Sequence, residues 1–184
     1  MLTAHAKLNK RIIMKTITFL TLVAIFFIVS STYAKENNRP AVPAFHLKDL
    51  QGKKIRVKDF DGDVVVISFW ATWCTPCKRE LDDLAELHKK YNKSGLEVLA
   101  IATDGPETFS QIRGTVKRHR WPFHVLPDKE GEVTSILNPR GTVPYSVYLD
   151  RQNNIAYSHE GYAQGDAAKM TERIKKLLNI TKTK

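Results

Sequence analysis

The stretch Val64-Val65-Val66-Ile67-Ser68-Phe69-Trp70, continued by Ala71-Thr72-Trp73-Cys74-Thr75-Pro76-Cys77, decides how this chain reads. Seven uncharged residues rich in β-branched and aromatic side chains predict a central strand buried on both faces. Just beyond it stand the two cysteines of the chain. Pro76 fits the first turn of a helix, where a missing amide proton costs little. Leu81, Leu84, Ala85, Leu87, His88 and Tyr91 then follow helical spacing, and Gly95 stops the helix. Two residues between the cysteines put both sulfurs on the first helical turn, near enough to bond without moving the backbone. A helix N-terminus favours negative charge, and so favours the thiolate that attacks.

Other accounts of the pair are weaker. A bridge closing two residues removes almost no entropy from the unfolded chain, so it makes a poor structural staple. Two thiols lack the further Cys or His pair that a closed zinc site needs. His46, His88, His119, His124 and His159 show no pair at ligand spacing and read as structural or surface residues. The expectation is a redox-active dithiol with no metal and no cofactor beyond the disulfide itself.

Outward from this point the chain alternates strands and helices. Phe45-His46-Leu47 and Ile55-Arg56-Val57 flank a Gly52 turn and predict a short hairpin. Leu96 to Ala102 predicts a second buried strand, Pro106 to Arg120 a helix, Phe123 to Leu126 a short strand and Glu130 to Leu137 a short helix. Val143 to Leu149 and Ile155 to His159 read as a closing hairpin, and Asp166 to Leu178 as a last helix. Such an order implies an α/β domain with a mixed sheet.

The 184 residues suit one domain with a leader. Composition is ordinary for a folded protein, 42% hydrophobic and 26% charged. Lys15 precedes thirteen uncharged residues, Ile17 to Val29, and small residues lead to Ala34. We read residues 1–34 as a cleaved signal peptide, with Met14 a candidate start, because thirteen apolar positions are too few to span a bilayer; an uncleaved segment that anchors the protein to the membrane is the alternative. No stable membrane insertion is expected after cleavage. Residues 35–43 read as a flexible lead-in, and 44–184 as the folded domain. Removing the leader reduces the net charge from +10 to 25 basic against 19 acidic residues. The densest basic run, Lys117-Arg118-His119-Arg120, reads as a solvated helix end, and no nucleic-acid partner is expected.

Phe45-x-Leu-x-Asp49-x-x-Gly52-Lys53, Phe69-Trp70-Ala71-Thr72-Trp73-Cys74-x-Pro76-Cys77-Lys78-x-Glu80 and Thr142-Val143-Pro144-Tyr145-x-Val147 together resemble exported thioredoxin-like proteins of the TlpA/ResA type. The resemblance covers roughly residues 41 to 178. It implies a thioredoxin-like fold, a mixed central sheet flanked by helices, extended by an N-terminal hairpin and by a central insertion near residues 104 to 126. It implies thiol-disulfide oxidoreduction outside the cytoplasm, in the periplasm or otherwise exported, with protein thiols and disulfides as substrates and a membrane protein as electron donor. We lean toward a reductase, acting in cytochrome c maturation or on other envelope proteins, and toward a monomer. The alternative is a copper chaperone or redox-sensing binding module on the same fold.

The dithiol chemistry assigns roles. Cys74 is the expected exposed nucleophile, and Cys77, one turn deeper, resolves the mixed disulfide. Thr75 and Pro76 tune the redox poise. Glu80, three residues past Cys77, resembles the family's active-site acid and could carry the proton of Cys77; an ordinary surface helix glutamate is the plain alternative. Cytosolic thioredoxins carry an Asp where this chain has Ser68, which cannot transfer that proton. Pro144 matches the family's cis-proline and with Val143 would present backbone to an extended substrate; a trans proline opening a strand is the plain alternative. Trp73 flanks the nucleophile, while Trp70 stays open between core and site.

Overall fold

In the computed structural model, which describes residues 39–180, the run Val64–Trp70 is the middle strand, β3, of a five-stranded sheet. Every one of its seven residues is buried. Around it stand Leu96–Ala102 (β4), His124–Pro127 (β5), Tyr145–Leu149 (β6) and Ile155–Glu160 (β7), in the order β5-β4-β3-β6-β7. β3, β4 and β5 run parallel, while β6 and β7 pair antiparallel, so the sheet is mixed as expected. A separate hairpin pairs His46–Lys48 (β1) with Lys54–Arg56 (β2).

Side-chain alternation along β3 divides the core in two. Val64, Val66 and Trp70 belong to a cluster with Leu81 and Leu84 of the helix Thr75–Tyr91 (α1) and with Met170 and Ile174 of the last helix, Asp166–Leu177. Val65, Ile67 and Phe69 belong to a second cluster, with Val133 and Leu137 of the short helix Glu132–Leu137 and with Ile55 and Val57 from the hairpin end. Each fully buried aliphatic side chain of this kind stabilises the fold by about 1.5–3 kcal/mol. The hairpin therefore belongs to the fold, closing one face of the sheet.

Two expectations change. The helix predicted from Pro106 begins only at Gln111 and ends at His119 (α2). Residues ahead of it close a turn instead, with Thr108 and Phe109 N–H both donating to the Gly105 carbonyl at 3.1 and 3.0 Å. Glu132–Leu137 is α3 and Asp166–Leu177 is α4. Residues 39–43, read as part of a flexible lead-in, are instead tied to the β6–β7 turn. Ile155 N–H donates to the Pro40 carbonyl at 2.8 Å and Val42 N–H to the Asn153 carbonyl at 2.9 Å. Arg39 pairs with Asp150 at 3.2 Å, and Val42 is buried. Backbone pairing of this sort leaves no mark in composition, so a stretch of polar residues and prolines does not reveal it. The leader read over residues 1–34, its start and its cleavage point lie outside the described residues. Among those described, no helix is long and apolar enough to cross a membrane.

Gly95 is the stop expected after α1. It takes φ of +85° after a short 3-10 turn over Asn92–Ser94, a conformation that side-chain-bearing residues rarely adopt. The basic run Lys117–Arg120 ends α2, and His119 there faces Asp82 of α1 at 2.8 Å.

Candidate active site

β3 delivers the chain to the site and α1 holds it there. Cys74 is the N-cap of α1, and its Sγ accepts a hydrogen bond from the Cys77 amide at 3.2 Å. Cys74 and Cys77 are joined in a disulfide, their Cα atoms 5.3 Å apart. Pro76 stands in the first turn, as its missing amide allows. Cys77 is fully buried, whereas Cys74 keeps 4% of its surface. The expected exposed nucleophile is thus almost covered, because its sulfur is drawn down onto the helix as a cap. Cys74 nonetheless remains the more accessible of the two. When the disulfide opens, a cap position at the N-terminus of a seventeen-residue helix favours negative charge on that sulfur.

Trp73 is 64% exposed beside Cys74, and Thr75 is exposed next to it. Trp70 is core: it is fully buried and meets Trp121 edge-on at 4.9 Å. The Val143–Pro144 peptide bond is cis. Tyr145 of β6 pairs with Phe69 of β3, so Pro144 lies level with the last residue of β3, at the end of the sheet where the dithiol loop begins. Val143 is half-buried and packs against the cluster that contains both cysteines.

Glu80 is the largest departure from a bland sequence reading. It is not a surface glutamate but 1% exposed. Its two oxygens accept from Ser68 Oγ at 3.0 Å and Ser146 Oγ at 2.7 Å. These serines are direct cross-strand partners in β3 and β6, so one rung of the sheet supplies both donors. Burial is the chief cause of a carboxyl pushed up to about 7, opposed in part by the two serine hydrogen bonds. Glu80 and Cys77 are three residues apart on α1 and therefore share a face. Ser68 does not replace the missing acid; it holds the acid that is present.

Two residues escaped the sequence reading. Ser146 could have been suspected from a hydroxyl in the middle of a buried strand, since buried polar groups need partners. Asp104, just beyond β4, is buried and accepts from the Thr72 backbone N–H at 3.1 and 3.2 Å and from the Thr72 hydroxyl. Lys78 Nζ donates to the Thr72 carbonyl at 3.0 Å. Thr72, two residues before Cys74, is thereby held at both its N–H and its carbonyl. Nothing in the local pattern near Asp104 points 32 residues back to Thr72. An Asp104→Ala variant should lose about 2 kcal/mol of stability, because a buried Thr72 amide loses its charged acceptor. Urea unfolding should show a lower midpoint with an unchanged slope.

The profile of the AhpC/TSA family matches residues 39–158. The chain belongs to the AhpC/TSA family. Within it, the chain is 37% identical over 121 residues to the thiol-disulfide oxidoreductase ResA of Bacillus thuringiensis subsp. konkukian, covering 65% of this chain and 67% of that one. It is 30% identical over 154 residues to ResA of Geobacillus kaustophilus, covering 81% and 87%. A solved structure from Chlorobium tepidum, described as the thiol:disulfide interchange protein DsbE, superposes with a TM-score of 0.70 at 25% identity, over 76% of this chain and 96% of that one. The resemblance to ResA-like proteins and the thioredoxin-like fold stand. This AhpC/TSA member is an enzyme, a thiol-disulfide oxidoreductase.

Proposed function

We propose that the enzyme is exported and reduces disulfides in envelope proteins through Cys74 and Cys77, cytochrome c maturation being one such setting. The observation that carries the catalytic assignment is the pairing of a slightly accessible Cys74 cap with a fully buried Cys77 on one helical turn. Cys74 thiolate attacks one sulfur of the substrate disulfide; that S–S bond breaks, and the departing substrate thiolate takes up a proton. Cys77 thiolate then attacks Cys74 Sγ, releasing the second substrate sulfur and leaving the Cys74–Cys77 disulfide. Two electrons pass to the substrate, and a membrane electron donor restores the dithiol. The pair is itself the redox centre and needs no further cofactor.

Glu80 accepts the Cys77 proton as that thiol becomes a nucleophile. A carboxyl poised near neutrality, on the same face as the thiol, suits a proton transfer at physiological pH. Trp73, Thr75, Pro76, Val143 and Pro144 form the surface on which an extended substrate lies, with backbone groups of Val143 meeting it. The domain acts as a monomer. Export accords with the leader read at residues 1–34.

The deciding experiment equilibrates the purified protein with dithiothreitol or glutathione buffers. A reduction potential near the thioredoxin value of about −270 mV supports the reductase, and one near the DsbA value of about −120 mV overturns it in favour of an oxidase. Insulin disulfide reduction should accompany the low potential. Copper retained by the reduced protein, without insulin reduction, would instead establish a metal carrier.

A further inference from the structure

A cleft of about 290 Å³ opens between the end of β1, the start of α2 and the residues just past β5. Three cations line it: Lys48, Arg113 and Lys129. None of them makes an ion pair among the described residues. Lys129 Nζ lies 4.5 Å from the centre of the Phe109 ring, which orients the ammonium at the rim of an apolar wall shared with Ile112. The single lining carboxylate, Asp49, is already engaged: one oxygen accepts the Gln51 and Lys53 amides at 3.0 and 2.9 Å, and the other is 3.4 Å from His124. Asp49 offsets one of the three positive charges, and the cleft keeps an excess of positive charge.

Position gives this cleft its meaning. Pro127, in the cleft wall, pairs with Ala102, which pairs with Trp70, the last residue before the dithiol loop. The cleft thus opens at the same end of the sheet as Cys74, two strands away, or about 10 Å across. The carboxyl ends of parallel strands are where open α/β sheets place their ligands. A protein whose disulfide reached Cys74 would pass over this cleft with neighbouring residues. The net positive charge of the chain beyond residue 34 favours acidic partners at longer range as well.

The geometry points to a second docking subsite: the cleft of Lys48, Arg113 and Lys129 receives an acidic side chain, next to an apolar one, from the protein substrate bound at Cys74. This rests on the oxidoreductase reading and deepens it by naming a substrate feature. The subsite acts on association and contributes nothing to the redox poise, since charge complementarity at a rim changes encounter more than chemistry.

The test uses two disulfide-bonded peptides identical but for their flanks, one with Asp and Glu beside a Leu, the other with Asn and Gln. The wild-type enzyme should show kcat/KM about fivefold higher for the acidic peptide at low salt, carried in KM, and the preference should fade in high salt. In the double variant Arg113→Glu, Lys129→Glu the preference should vanish or invert, and Arg113→Gln, Lys129→Gln should be intermediate. The potential against dithiothreitol and the rate with the neutral peptide should match wild type in both variants. An undiminished preference in the charge-reversed variant, or none in wild type, overturns the subsite. A wild-type enzyme that reduces neither peptide nor insulin overturns the oxidoreductase reading beneath it.

Discussion

A Cys77→Ser variant should capture its protein substrates and fail to release them, with turnover falling by about three orders of magnitude or more. Cys77 is fully buried, so no incoming disulfide reaches it directly; its route to substrate runs through Cys74 Sγ. The Cys77 amide already lies 3.2 Å from that sulfur, and the disulfide shows that the two sulfurs meet without rearranging the helix. With the resolving thiol gone, the substrate–Cys74 disulfide persists until an external thiol cleaves it. Non-reducing electrophoresis and mass spectrometry should find the adduct on Cys74. A Cys74→Ser variant should form no adduct, because the remaining thiol is inaccessible. Turnover by Cys77→Ser at a wild-type rate would refute the division of labour.

The second large effect is on stability. Between about pH 5 and pH 8 the oxidised protein should lose about 2.5 kcal/mol through Glu80 alone. Its carboxyl titrates at about 7 in the fold against an ordinary 4.5, because burial disfavours the charged form. Within that interval the native state holds a proton that the unfolded chain has released. Stability must therefore fall as pH rises, being complete below 4.5 and lost through about 7. Asp166 adds a repulsion in the same direction, while its own titration, held down to about 2 mainly by the Ala163 amide, lies outside the window. Glu80→Gln keeps a shape that the two serines can bond and removes the charge. Urea unfolding of both proteins at pH 5 and pH 8 isolates the effect as the difference in their pH dependence. Parallel curves would mean that Glu80 ionises without cost.

Much of this was legible because it is written locally. The apolar run of β3 and the helical spacing after Cys77 are strong periodic signals, and their junction fixes where the sulfurs lie. The hairpin announced itself through alternation around Gly52. What stayed hidden is written across distance. Spacing placed Glu80 on the face of Cys77 but could not give its depth, which depends on Ser146, 66 residues away. The hold of Asp104 on Thr72 and the tie of Pro40 and Val42 to the β6–β7 turn are equally non-local. The short α2 is different in kind: its pattern was visible, but the turn that Gly105 to Phe109 makes took the first residues out of the helix.

The clasp formed by Arg39, Pro40 and Val42 governs how this enzyme can be mounted. The β6–β7 turn that they grip lies level with the first residue of β3, and the dithiol lies past the last, about 20 Å along the strand. An engineered tether to a bead or a bilayer, fused directly to Arg39, is attached at the pole away from the sulfurs. An immobilised form should therefore present its reactive end outward, with the clasp serving as the base of a directed probe.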